Sequence, residues 1–306
     1  MTTPEGNMAA SPTHPAEIGR EAGVRDDRIL PAVHWVAGLV TLVLLTAAVI
    51  LYVLPDRTTE LFAWTIHPTM SALIMGAGYG AGAYYFARVF LASRWHQVGL
   101  YFPAISTFTW VLGISTILYW DKFNHDHIAF YAWVVLYFAA PILLPILWLL
   151  NRRFDPGTPD PDDVLVPRPI RIASGIAGVG LLGVAALMVL IPDAVLGVWP
   201  WQLTPATCRV IGGWLAAPGV AEVLFAFEPR WSAWRIIVQH QAIAVGLILI
   251  AVARAWGEFN PANPVTWLYV GGMAGFWVAM VILLYVMDSR RAKTAARPRP
   301  APTGIG

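Results

Sequence analysis

Apolar residues in this chain do not alternate with polar ones at the period of a strand. They gather into eight long blocks, near residues 30–54, 68–88, 98–119, 128–150, 170–191, 206–227, 233–254 and 264–287, separated by short polar breaks. Each block is close to the roughly 20 residues a helix needs to cross about 30 Å of hydrocarbon. The pattern predicts an all-α polytopic transmembrane bundle of eight helices. Pro55-Asp56 and Pro192-Asp193 close the first and fifth blocks, and Pro68 and Pro205 open the second and sixth, where a missing backbone N–H costs nothing. Pro218 is expected to break the sixth block alone, since its counterpart is Ala81.

The polar remainder divides the chain further. Residues 1–29 form a polar tail with no apolar run that would serve as the core of a cleavable signal peptide, so the first helix is expected to insert uncleaved. Residues 151–169 form a Pro- and Asp-rich linker between two membrane units, 30–150 and 170–287, and residues 288–306 form a basic tail. With both tails, the linker and the breaks after the second and sixth blocks on one side, that side holds Arg20, Arg25, Arg28, Arg88, Arg94, Arg152, Arg153, Arg168, Arg171, Arg230, Arg235, Arg290, Arg291, Lys293, Arg297 and Arg299. The other keeps Arg57, Lys122, Arg209 and Arg254. Because Lys and Arg resist translocation, this asymmetry predicts that both termini are cytoplasmic. Trp64, Trp120, Trp199, Trp201, Trp256 and Trp267 cluster at block ends on the opposite side, as indoles do at a membrane interface.

Composition narrows the class. Of 306 residues, 58% are hydrophobic and 12% charged, and the mean hydropathy is +0.61. An ordinary soluble domain carries about 25% charged residues, so soluble enzymes, disordered chains and nucleic-acid binders are excluded and the expected partner is a lipid bilayer. The single cysteine, Cys208, rules out an intrachain disulfide and any Cys-based metal cluster built from this chain alone. Eighteen of the 20 basic residues are arginine, a usage that points to a GC-rich bacterium and hence to its plasma membrane.

The two membrane units read as copies. At an offset of 137, Pro55-Asp56 matches Pro192-Asp193, Trp64 matches Trp201, Pro68 matches Pro205, Gly76 matches Gly213 and Gly82 matches Gly219. At 136, Arg94-Trp95 matches Arg230-Trp231, Trp120 matches Trp256 and Phe123-Asn124 matches Phe259-Asn260. This predicts two tandem four-helix repeats running in the same sense, the parallel-repeat arrangement. The glycines Gly76, Gly78, Gly80 and Gly82 set small residues at the spacing that lets helices approach closely, or that leaves room for a flat cofactor.

Where the copies differ, reactive residues appear. The segment Trp120-Asp121-Lys122-Phe123-Asn124-His125-Asp126-His127 faces Trp256-Gly257-Glu258-Phe259-Asn260-Pro261-Ala262-Asn263, and His67 faces Thr204. Imidazole and carboxylate suit zinc, copper, iron or nickel, so His67, His125, Asp126 and His127 are the candidate metal site, and helix capping is the alternative role. His34 and His240 lie within blocks near the cytoplasmic side and are the candidate cofactor residues, as a pair of haem ligands. Glu222, in the sixth block, would meet Arg235, Arg88 or His240 from another helix, since Arg209 is 13 residues away on its own.

The repeated Pro-Asp…Trp…Pro frame and the segment Trp199-Pro200-Trp201-Gln202-Leu203-Thr204-Pro205 resemble those of uncharacterised actinobacterial multi-span membrane proteins. The resemblance covers most of residues 30–290 and brings no activity with it. No acyltransferase, rhomboid, zincin or P-loop motif is present. Three functions remain: a redox or sensory protein carrying haem or a transition metal, a small-solute transporter with two parallel repeats, and a non-catalytic subunit or scaffold that binds a membrane-protein partner or a second copy of itself.

Overall fold

The computed structural model describes residues 26–296, and the regular elements among them are helical. The long helices are α1 (Pro31–Ala48, running on into a π-helical turn at Val49–Val53), α2 (Thr69–Leu91), α3 (Phe102–Leu118), α4 (Ile128–Arg152), α5 (Arg168–Leu190), α6 (Pro205–Phe225), α7 (Trp231–Arg254) and α8 (Pro264–Ala295). Seven of them are long and apolar enough to cross a membrane, which makes this a multi-pass membrane protein. The exception is α2. It is 23 residues long, but its glycines, Tyr79, Tyr84, Tyr85 and Arg88 dilute its apolar character, and most of its residues are buried. It is a central helix, whose surroundings are protein.

Burial sorts the other helices the same way. In its most apolar stretch α6 is 61% buried and α8 only 11%. Helices α1, α4, α5 and α8 turn Leu, Ile and Val outward, as at Leu39, Val135, Ile176 and Leu268, while α2, α3, α6 and α7 form the interior. Neighbouring helices pair as hairpins, α1 with α2, α3 with α4, α5 with α6 and α7 with α8. The remaining extensive contacts join α2 to α7 and α3 to α6. The molecule is therefore two bundles, one of α1, α2, α7 and α8, the other of α3, α4, α5 and α6, so each bundle takes one hairpin from either half of the chain. They meet along a seam where Trp214 of α6 packs between Tyr79 of α2 and Phe108 of α3, at ring separations of 5.0 and 4.4 Å. Gly78 has no room for a Cβ, because the Trp214 ring lies directly against it.

Proline does not break α6. Pro218 sits inside a continuous helix, as Pro141 and Pro145 do in α4. Proline removes one backbone hydrogen bond, and neighbouring helices hold the chain on either side of it. The C-terminal helix also outlasts its apolar block, continuing to Ala295. Within the expected tails, residues 1–25 and 297–306, with Arg20, Arg25, Arg297 and Arg299, lie outside the described residues.

Matched positions make matched hydrogen bonds. Asn124 N–H donates to the Ala63 carbonyl at 2.8 Å and Asn260 N–H to the Pro200 carbonyl at 3.1 Å. Trp95 N–H donates to the Asp27 carbonyl at 2.9 Å and Trp231 N–H to the Val164 carbonyl at 3.0 Å. The carboxylates of Asp27 and Asp163 then accept the N–H of His96 and of Ser232, at 3.0 and 3.1 Å. The linker is thus an ordered strap across the end of the molecule from which α1 departs, hereafter the linker end.

Candidate functional site: a polar cluster at the seam

The residues proposed for an outer metal site do not converge. Among the described residues no three His, Cys, Asp or Glu side chains come together as metal ligands. His127 is the N-cap of α4, its Nδ1 accepting the Ala129 N–H at 3.1 Å, and Asn263 caps α8 in the same way through the Val265 N–H at 3.0 Å. His125 is tucked against the rings of Trp120 and Phe130, at 5.5 and 4.7 Å. Asp126 and His67 are exposed.

The two inner histidines are likewise held by separate neighbours. His34 Nδ1 lies 2.8 Å from the Phe90 carbonyl, across the α1–α2 contact. His240 of α7 is buried, with Nε2 3.0 Å from the Tyr101 hydroxyl and Nδ1 without a hydrogen-bond partner.

His240 belongs instead to a cluster that straddles the seam. Glu222 on α6 is 6% exposed and forms no ion pair among the described residues. Ser174 on α5 donates its hydroxyl hydrogen to the Glu222 carboxylate. From the other bundle, Gln241 on α7 reaches the Glu222 carboxyl, yet neither its amide nitrogen nor its amide oxygen makes a hydrogen bond of good geometry. Tyr101, at the start of α3, completes the group between Glu222 and His240. The arginines expected beside Glu222 are engaged elsewhere: Arg235 pairs with Asp288 at 2.9 Å, and Arg88 donates to Tyr84 and Gln239 at 2.8 and 3.2 Å.

Local sequence explains how the cluster is assembled. Ser174 and Gly178 are one turn apart on the same face of α5. A Cβ at Gly178 would lie 2.7 Å from the Gly219 carbonyl oxygen and the Val223 nitrogen and 2.9 Å from Glu222 Cβ, so the glycine lets α5 and α6 touch at Glu222. On α7 the run Gln239-His240-Gln241 divides its polar groups. Gln239 turns to α2, while His240 and Gln241 face the seam. A buried carboxyl without a cation is tolerated in an apolar interior as the neutral acid, or with a cation bound, and unpaired buried amides are rare. The cluster therefore pairs a buried carboxyl that has no cationic partner among the described residues with hydrogen-bonding groups that have capacity to spare.

The strap at the linker end holds a buried, paired charge. Arg230 is 5% exposed and donates to Asp155 at 2.6 and 3.1 Å and to Glu228 at 2.7 and 2.6 Å. Burial works against the Arg230 charge, but the hydrogen bonds it donates to Glu228 and Asp155 outweigh this and raise its pKa. Burial also pushes the Asp155 carboxyl up, and the bonds from Arg230 and the Gly157 N–H more than reverse this, leaving its pKa below the ordinary value.

Comparison of the chain with protein-family models, with curated proteins and with solved structures finds no match in any of the three.

Proposed function

We propose that this is a proton-coupled small-solute transporter of a bacterial plasma membrane, in which Glu222 carries the proton and the two bundles move against each other along the seam. In this reading all eight helices span, α2 included, since 23 residues reach about 34 Å as a helix. The chain is then two tandem four-helix repeats with cytoplasmic termini, a reading that the matched hydrogen bonds and the one-sided distribution of arginine support.

The observation that carries the proposal is the composition of the seam. Helices α3, α5 and α6 of one bundle contribute Tyr101, Ser174 and Glu222, and α7 of the other contributes His240 and Gln241. Ionisable groups inside a membrane protein mark ion or proton paths by default, and a relative movement of the bundles would change the contacts that cross the seam, those of Tyr101 with His240 and of Glu222 with Gln241. The redox and metal reading has no convergent ligand set among the described residues to rest on. Infrared difference spectra between acidic and alkaline pH test the assignment. One carboxyl C=O band should appear on protonation in the wild type and vanish in Glu222→Gln; an unchanged spectrum in the variant removes Glu222 as the proton carrier.

A further inference from the structure

Oxygen atoms gather around Glu222 without enough hydrogens to join them. A continuing helix would give the Ala226 N–H to the Glu222 carbonyl, but that N–H donates to the Val223 carbonyl at 3.2 Å. The Glu222 carbonyl oxygen lies instead 3.1 Å from Ser174 Oγ. Ser174 has one hydroxyl hydrogen and gives it to the Glu222 carboxylate, so its approach to the carbonyl brings two oxygens together with no hydrogen between them. Gln241 arrives from α7, 4% exposed, and its amide oxygen accepts no hydrogen bond although the side chain reaches the same carboxyl.

Three helices thus bring a carboxylate, a carbonyl, a hydroxyl and an amide oxygen to one place. Oxygen donors of this kind suit hard cations, and a transition metal would call for imidazole or sulfur. The single carboxylate sets the charge. It balances one positive charge, while a divalent ion would leave an uncompensated charge in a low-dielectric interior. Gly178 already brings α5 against α6 at Glu222, so the space among these oxygens suits a small ion. Glu222 also lies in the last turn of α6, three residues before Phe225, where the negative end of the helix dipole attracts a cation. The other ionisable groups here are Tyr101 on α3, His240 on α7 and, one turn before Ser174 on α5, Arg171. None of them forms an ion pair with Glu222 among the described residues.

We infer that Glu222, Ser174 and Gln241 bind a sodium ion in competition with the proton on Glu222. On binding, the O–H bond of the carboxylic acid breaks, the proton passes to water, and the ion takes its place between the carboxylate and the Gln241 amide oxygen. The site then carries one positive charge in either state. The ion's part in transport rests on the proposed function and names its solute: sodium moves one way as the Glu222 proton moves the other, and the exchange transfers no net charge.

The test is equilibrium binding of radioactive sodium to the purified protein in mild detergent and choline chloride buffer. Saturable binding is expected in the wild type and none in Glu222→Gln. Once protons hold the carboxyl, each further pH unit of acid should weaken the apparent affinity about tenfold, because one proton leaves for each ion bound. Ser174→Ala should weaken binding about tenfold or more by removing one oxygen donor to a charge, and should that variant fail to fold, Gln241→Leu gives the same reading. Absence of saturable binding in the wild type, unchanged affinity in the variants, or potassium competing as well as sodium does, overturns the inference. Proton entry into liposomes keeps the two claims apart. Equal rates with sodium or choline inside would leave Glu222 a proton carrier and overturn the sodium inference. Sodium binding in a protein that moves no protons would sink the transport reading and leave the cation site standing.

Discussion

Replacing Gly178 by alanine probes how the seam cluster is held. The new Cβ would meet the Gly219 carbonyl oxygen and the Val223 nitrogen at 2.7 Å, where ordinary contacts are several tenths of an ångström longer, and both atoms are backbone. They cannot swing aside, so α5 must retreat from α6. Overpacking of this kind costs about 1–3 kcal/mol. The retreat also stretches the Ser174–Glu222 hydrogen bond, which leaves a buried group less well satisfied at about 1–3 kcal/mol. The expected total is about 2–6 kcal/mol. Gly180 is the control, because nothing lies within 4 Å of a Cβ built there, and alanine at that site is neutral or stabilising by up to about 1 kcal/mol. Reversible unfolding in mixed detergent and SDS micelles, followed by tryptophan fluorescence, compares the two. If Gly178→Ala came within about 0.5 kcal/mol of Gly180→Ala, the spread of an ordinary surface substitution, the close helix crossing at Glu222 would be refuted.

Two further outcomes follow from the same geometry. Asp155→Asn should lower stability at neutral pH by about 1–3 kcal/mol by weakening the Arg230 clamp. Because the folded Asp155 carboxyl titrates below its ordinary value, its contribution is complete above the unfolded pKa of about 4 and is lost as pH falls through the lower folded value. Stability curves of wild type and variant should therefore converge in acid, and curves that stay parallel down to about pH 2 would exclude the clamp. His127→Asn should leave unfolding unchanged, as Asn263 caps α8, while His127→Ala costs about 1 kcal/mol; equal losses in both would argue for a role beyond capping.

The helices were legible because their ends are written locally. Pro31, Pro205 and Pro264 fall in first turns, and unbroken apolar runs of this length have little alternative to a helix in a bilayer. The pairing of α2 with α7 and of α3 with α6 was not legible, since it depends on faces matched across more than a hundred residues. The site suffered from the same limit. Glu222 and His240 stand out as polar groups in apolar helices, but Ser174 looks like any small packing residue and Tyr101 like an interfacial aromatic until α5 and α3 are in place. For His127 the signal was present: its counterpart Asn263 is a strong N-cap residue, which favoured the capping role over metal binding.

The central claim is that Glu222 carries a proton across the seam, and proton flux tests it most directly. Wild-type protein and Glu222→Gln would be reconstituted into liposomes holding a pH-sensitive dye, and an inward proton gradient applied in sodium chloride medium. Acidification of the wild-type vesicles well above that of empty liposomes, reduced to the empty-liposome rate by the substitution, is the predicted result. Equal rates in wild type and variant, or a wild type no faster than empty liposomes, would contradict the account.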